Sequence, residues 1–248
     1  MGKGKVFIGT SGWNYPHWGK GVFYPLEVKQ KEWLSYYSHY FDTVEINNTF
    51  YQLPQKAVFE RWERSVPSHF RFVVKVSRYI THIKKLNQLE QPLLRFLENV
   101  SSLKKKLALL LFQLPPFLKA NQLRLKHLLD LLKDQSIIPG VKATFEFRNK
   151  TWLEKEIFHL ITQRNAALCF ADWPDLRVTE PVTADFIYLR RHGPKSLYAS
   201  GYSQEEIKKD ATQINRWLAE GKDVYIYFNN DAECWAVKNA LSLLEMIE

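Results

Sequence analysis

The chain has 248 residues, near the usual length of one β/α barrel, and its 46% apolar and 25% charged residues leave intrinsic disorder out. A formal charge of +9 favours polyanionic partners or small phosphorylated and carboxylated substrates, and speaks to association rather than to fold. The most apolar stretch, residues 107–118, holds Gln113 and the Pro115-Pro116 pair and is too short to cross a bilayer as a helix, while Cys169 and Cys234 form no spaced pair. Membrane spans, disulfide frameworks and zinc clusters are therefore not expected. The chain opens directly into an apolar run without a secretory leader, so a cytoplasmic protein is expected.

Eight short apolar runs recur along the chain, at residues 5–11, 43–48, 71–77, 107–113, 142–148, 166–172, 186–192 and 223–230. Between them lie stretches with helical spacing. Residues 27–40 place Trp33, Leu34 and Tyr37 on one face, and 55–65 do the same with Val58, Phe59 and Trp62. Helices are predicted next over 92–105 and over 121–133, the latter with Asn121 as N-cap. Over 151–164, Thr151 and Glu154 have capping-box spacing; 203–220 repeats the pattern, with Gly221 as its stop. The connection from Asp172 to Phe186 contains Pro174 and Pro181, so its helix is expected to be short or missing.

Strand and helix alternate over the whole length. The expected fold is a single α/β domain over 1–248, a TIM-type (β/α)8 barrel with a parallel, closed, eight-stranded sheet. A doubly wound open sheet would usually bring a glycine-rich phosphate loop after an early strand, and Gly9-Thr10-Ser11-Gly12-Trp13 lacks that spacing.

In such barrels the site is built where the strands finish, and nearly every run ends in a charged or amide residue. Period-two alternation pairs Glu45 with Asn47, Lys75 with Ser77 and Glu146 with Arg148. Buried charges are costly unless paired, so Glu45, Lys75, Glu146 and Arg148 are expected to form a polar layer at the mouth. That layer can serve catalysis or merely close the barrel with salt bridges. In the catalytic reading Arg148 holds Glu146 ionised, Glu45 carries the proton, and Lys75 binds an anion or, if desolvated, acts as an imine-forming nucleophile. Arg190, Arg191 and His192 precede Gly193 and can hold a phosphate, with the bland alternative of one inward and one surface arginine. Candidate catalytic residues are thus Glu45, Glu146 and Lys75; candidate substrate-binding residues are Trp13, Asn47, Gln113, Arg148, Asp172, Arg190, Arg191, His192 and Asn229.

Trp13, Tyr15 and Trp18 of the first loop can stack on a base or sugar, although packing into a lid is the expected fate of at least two. Asn229, Asn230 and Asp231 can bind hydroxyls or cap the next helix. Lys104-Lys105-Lys106 reads as a solvated helix terminus. Strand ends supply only Glu45, Glu146, Asp172, Asp231 and His192 as hard or borderline metal ligands, which argues against a multinuclear site and leaves a single divalent ion, such as magnesium, open.

The stretches Ile8-Gly9-Thr10-Ser11-Gly12-Trp13 and Glu45-Ile46-Asn47-Asn48-Thr49-Phe50-Tyr51 resemble the opening of the domain-of-unknown-function 72 family, often called YecE-like. Phe112-Gln113-Leu114-Pro115-Pro116, Phe145-Glu146-Phe147-Arg148-Asn149, Tyr188-Leu189-Arg190-Arg191-His192-Gly193 and Phe228-Asn229-Asn230-Asp231 are similar to its later motifs, in order. The resemblance implies the same barrel and no particular reaction. One departure is Glu233-Cys234-Trp235, where the family commonly has a glycine; it argues against a tight backbone approach there.

The expected function is a metal-independent or single-metal hydrolase acting at the barrel mouth on an anionic, phosphate-containing substrate, nucleic acid included. Fold analogy with barrel endonucleases supports this only by association. The alternatives are a glycosidase using Glu45 and Glu146, and a non-catalytic nucleic-acid or metabolite binder. The expected partner is an anionic small molecule or nucleic acid, with neither a membrane nor a protein partner.

Overall fold

A computed structural model describes residues 2–174 and 176–247. Eight parallel strands form a nearly closed barrel: β1 (Val6–Thr10), β2 (Thr43–Ile46), β3 (Arg71–Lys75), β4 (Leu107–Gln113), β5 (Lys142–Glu146), β6 (Ala167–Trp173), β8 (Phe186–Arg191) and β9 (Asp223–Phe228). A two-residue strand, β7 (Leu176–Arg177), folds back antiparallel on β6 and occupies the connection where a helix is missing, as expected. The last strand, β9, lies between β1 and β8. The ring closes between β1 and β2 through one bridge, Ser11 to Glu45. Gly9 permits this approach, because a Cβ there would lie 2.4 Å from the Thr43 carbonyl oxygen.

Alternation decides what fills the barrel. Val73, Leu109, Leu111, Cys169, Phe186, Tyr188, Tyr225 and Tyr227 form one cluster, distinct from the larger core formed where outward residues such as Ile46, Leu110, Leu189 and Ile226 meet the helices. Continuing the inward row along each strand leads to Glu45, Lys75, Gln113, Glu146 and Arg190, which form the uppermost filled layer.

The helices are α1 (Trp33–Tyr37), α2 (Asn48–Tyr51), α3 (Lys56–Arg64), α4 (Glu90–Val100), α5 (Gln122–Asp134), α6 (Lys155–Thr162), α7 (Gln204–Ala219) and α8 (Trp235–Leu244). Several depart from the sequence reading. The 27–40 stretch yields only a 3-10 turn and the short α1, which still buries Trp33, Leu34 and Tyr37. The helix predicted over 92–105 begins at Glu90 and gives way to a 3-10 segment after Val100. Thr151 is not an N-cap: it sits in a 3-10 turn capped by Asn149, and its hydroxyl oxygen accepts from Ala120 N at 2.9 Å, so α6 starts at Lys155. Lys106 is not solvated. It is buried and donates to the carbonyls of Glu63 and Val66, while Lys104 pairs with Glu63 at 3.2 Å. Glu233 and Cys234 adopt φ of 51° and 61°, so the left-handed turn that glycine favours is present despite the departure in sequence.

Asn121 caps α5 by accepting from Arg124 N. Ser203 caps α7: its Oγ accepts from Glu206 N at 3.3 Å, and its own N–H donates to the Glu206 carboxylate at 2.8 Å. Replacing Ser203 with Ala is expected to cost about 1 kcal/mol, read as a lower urea midpoint with an unchanged slope. S203D should retain most of that stability.

Candidate functional site at the barrel mouth

Arg190 lies at the centre of the uppermost layer, with no exposed surface. Its Nε and Nη2 donate to the two oxygens of Glu45 at 3.0 and 2.8 Å, and its Nη1 donates to Glu146 Oε2 at 2.6 Å. One guanidinium thus joins β2, β5 and β8. Glu45 also accepts from Ser11 Oγ at 2.7 Å and from the Tyr188 hydroxyl at 2.5 Å. Glu146 accepts on its other oxygen from Arg148 Nε at 2.7 Å. Burial by itself raises the Glu146 carboxyl, but Arg148 and Arg190 outweigh it and hold it well below the usual carboxylate range. Burial, followed by the charge of Glu45, pushes the Tyr188 phenol well up, so it stays a donor.

Lys75 is different. It is buried, its carbonyl accepts from Thr49 Oγ1 at 2.7 Å, and its ammonium nitrogen, 4.3 Å from the centre of the Phe50 ring, has no hydrogen bond among the described residues. Burial pushes its pKa down to about 7, and Arg190 and Arg148 act in the same direction against Glu146 and Glu45. Arg148 stacks on Trp173, 3.6 Å from the ring centre, and only its Nε is hydrogen-bonded. His192 has Nδ1 at 3.1 Å from Asn229 Nδ2, while its Nε2 lies 3.5 Å from Glu146 without a hydrogen bond. Burial lowers its pKa, which keeps the ring neutral.

Lys75 borders a cleft of about 1380 Å³, whose walls come from the loops after β1 and β2 and from α3. Trp13, Tyr15, Asn47, Tyr51, Arg61, Trp62 and Asn229 line it. Trp13 is packed edge-on against Trp62 at 5.2 Å, and Trp18 is fully buried with its Nε1 donating to the Asp231 carbonyl, so packing claims most of the first loop. Asn47 donates to the Ser11 carbonyl at 3.2 Å, while its own Oδ1 is buried without a partner. The buried side-chain polar atoms without a partner among the described residues are those of Asn47, His192 and Asn230, all just past strand ends at the mouth. Asn47 lines the cleft, where a ligand can complete its free acceptor, whereas Asn230 packs away from it against Ser200 and Asn239.

The structure brings Glu45, Lys75, Glu146, Arg148, Arg190, His192, Asn229 and Asn47 to one end of the barrel. Gln113 is there too, in register with Glu146, but its amide is spent on the Leu114 carbonyl at 2.9 Å. Arg191 and Asp172 point to the outer side: Arg191 pairs with Asp210 of α7 at 2.6 and 2.5 Å, and Asp172 accepts from His192 N and the Tyr202 hydroxyl. The sequence reading passed over Ser11, Phe50, Tyr188 and Trp173. Tyr188 lies two residues before Arg190 on β8, so the two share the inward face once the parity of that strand is fixed by the structure. Phe50 and Trp173 carry no comparable mark, because they reach the site from loop and hairpin.

Among the described residues, no three His, Cys, Asp or Glu side chains stand together as a metal site. Each carboxylate oxygen of Glu45 and Glu146 already accepts a hydrogen bond from a protein donor. Cys169 and Cys234 are buried and free. No helix among the described residues is long and apolar enough to cross a membrane.

These features define a β/α barrel whose mouth is closed by an ion-pair layer beside an open cleft. The chain belongs to the family described as protein of unknown function DUF72, whose profile matches residues 7–248. It is 22% identical over 274 residues to the UPF0759 protein YunF of Bacillus subtilis, covering 98% of this chain and 95% of YunF. A crystal structure of a DUF72 protein from Thermotoga maritima superposes with a TM-score of 0.84 at 28% identity, covering 98% of both chains. One from Enterococcus faecalis gives a TM-score of 0.82 at 21% identity, covering 98% of this chain and 95% of that one.

Removing the shared guanidinium leaves two buried carboxylates. R190L is expected to lose about 3–5 kcal/mol at pH 7 in urea denaturation. The sign with pH follows from Glu146. Its depressed folded value makes its contribution complete above the unfolded value of 4.5 and lost as the pH falls through the folded one. The wild type should weaken on acidification, whereas R190L should recover part of its deficit as its buried carboxylates protonate.

Proposed function

We propose that the protein is a hydrolase acting on an anionic, phosphate-containing substrate in the cleft, with Lys75 as the group that accepts a proton. The observation that carries this reading is Lys75 itself: a desolvated amine at the cleft wall, without a hydrogen bond and with its pKa lowered to about 7. A base poised near the working pH combines a populated neutral form with useful basicity. In the reaction the neutral amine takes a proton from the attacking water, water oxygen bonds to phosphorus, and the ester oxygen departs with the bonding pair. The ammonium so formed and the unused Nη groups of Arg148 offset the charge that grows on the phosphoryl oxygens.

Glu45, Glu146 and Arg190 support this chemistry without exchanging protons. Their mutual ion pairs leave little net charge to stabilise an ammonium, and burial, aided by Arg190 and Arg148, keeps the Lys75 amine easy to deprotonate. Asn47 Oδ1 and Asn229 are placed to orient a hydroxyl or amide of the substrate. The glycosidase alternative needs two carboxyls facing a sugar, and Glu45 and Glu146 are instead buried, joined through Arg190 and set back from the cleft wall.

Turnover of p-nitrophenyl phosphate and bis(p-nitrophenyl) phosphate, followed in EDTA across pH 5–9, tests the reading. The rate should rise with pH through about 7, as Lys75 loses its proton. K75M should lose about 100-fold or more in kcat. A flat profile, or K75M turning over as the wild type does, would sink the proposal.

A further inference from the structure

The loops that follow β2, β3, β4 and β5 share a property that the cleft chemistry does not use. Together with α2 and the first turns of α3 and α5, they span residues 47–59, 76–89, 114–129 and 147–153, which contain no Asp or Glu, although acidic residues number 26 in the chain. Lysine, arginine and histidine occur throughout them. The first carboxylate after the β3 loop, Glu90, is paired with His127 at 2.9 Å. A surface built from consecutive loops without a single carboxylate presents one sign of charge to solvent.

The same loops hold exposed rings. The described residues leave four large aromatic side chains exposed, Tyr40, Tyr51, Tyr79 and Phe117, and the last three belong here at 75%, 45% and 64% exposure. Cations accompany them: Lys84 stands 5.8 Å from the Tyr79 ring centre and Lys85 stands 5.4 Å from that of Phe117. The rings are linked through protein contacts. Tyr51 packs on Phe50 at 5.2 Å, Phe50 packs on His82 at 4.9 Å, and His82 lies in the π-helical turn Tyr79–Ile83 that also carries Tyr79. Arg124 then donates to the Lys85 carbonyl at 3.1 Å, joining that turn to α5.

The surface is held in place rather than loose. Lys85, Leu86 and Gln88 have φ of 50°, 60° and 50°, in the left-handed region that costs a non-glycine residue energy. Leu86 and Leu89 are buried beneath the loop, and Leu86 N bonds to the Ile80 carbonyl, so packing compels the strained backbone and turns the lysines outward. Exposed flat rings alternating with cations on a fixed, acid-free rim match the chemistry of a polyanion whose bases are free to stack.

We propose that this rim binds single-stranded nucleic acid, with bases stacked on Tyr51, Tyr79 and Phe117 and phosphates met by Lys84, Lys85 and Arg124. A duplex offers phosphates but no free base faces, and would leave the rings uncovered. The proposal stands apart from the chemistry assigned to Lys75. Binding is read without turnover, so either can fail while the other holds.

Fluorescence anisotropy of a labelled oligothymidylate of about 16 nucleotides, titrated with the full chain at several salt concentrations, tests it. Binding should be tighter for the single strand than for a duplex of equal length. Y51A and F117A, both at exposed positions, should each weaken it by about tenfold or more with an unchanged melting temperature. The K84A/K85A/R124A variant should flatten the salt dependence by about two units of log–log slope. Absence of binding at low salt would overturn the proposal. So would equal affinity for the duplex, wild-type affinity in both ring variants, or displacement by polyglutamate as efficient as by unlabelled oligothymidylate.

Discussion

A guanidinium without contact to water needs counter-charge on every side, and Arg190 obtains it from strands that are far apart in sequence. Glu45 comes from β2, Glu146 from β5 and Arg190 from β8, so their two ion pairs clamp the barrel across its lumen rather than along its wall. Taking three charges out of water costs several kcal/mol per ion unless geometry and further hydrogen bonds compensate. Ser11, Tyr188 and Arg148 supply those bonds. The layer therefore works as a unit: any one member left alone would be a buried charge with no answer. Lys75 is the member of the layer that reaches the wall of the neighbouring cleft.

Lys75 belongs to the same layer but is not captured by it. The two glutamates are committed to arginines, so the lysine sees a surrounding charge that does little to stabilise its own. An amine in that position is held in reserve. The contrast between four committed carboxylate oxygens and one uncommitted amine is a more direct pointer to chemistry than the count of polar residues at the mouth.

Much of this was legible in the sequence because a parallel barrel enforces simple rules. Eight apolar runs gave eight strands, the prolines after Asp172 marked a connection without a helix, and period-two alternation put Glu45, Lys75 and Glu146 on a shared polar face, while which of Arg190 and Arg191 turns inward stayed open. The pairing among them was not legible, since it depends on how the ring closes and how far each strand is displaced along it. Arg191 and Asp172 illustrate the cost of reading position without parity: each is near a strand end, and each faces outward. Thr151 and Lys106 failed for another reason. Both had the expected local pattern, but nearby carbonyls and amides from other elements offered stronger partners than the helix end did.

The order of strands around the ring has a consequence for how the chain reaches this state. β9, the last strand made, is inserted between β1 and β8, and Arg190 is itself three-quarters of the way along the chain. During synthesis from the N-terminus, Glu45 and Glu146 emerge well before the cation that neutralises them, and the ring cannot close until the final strand arrives. A truncated chain is thus left with two carboxylates that favour hydration over burial and an open sheet edge at β1. The charged layer acts as a proofreader of completeness, penalising premature collapse and rewarding the finished barrel.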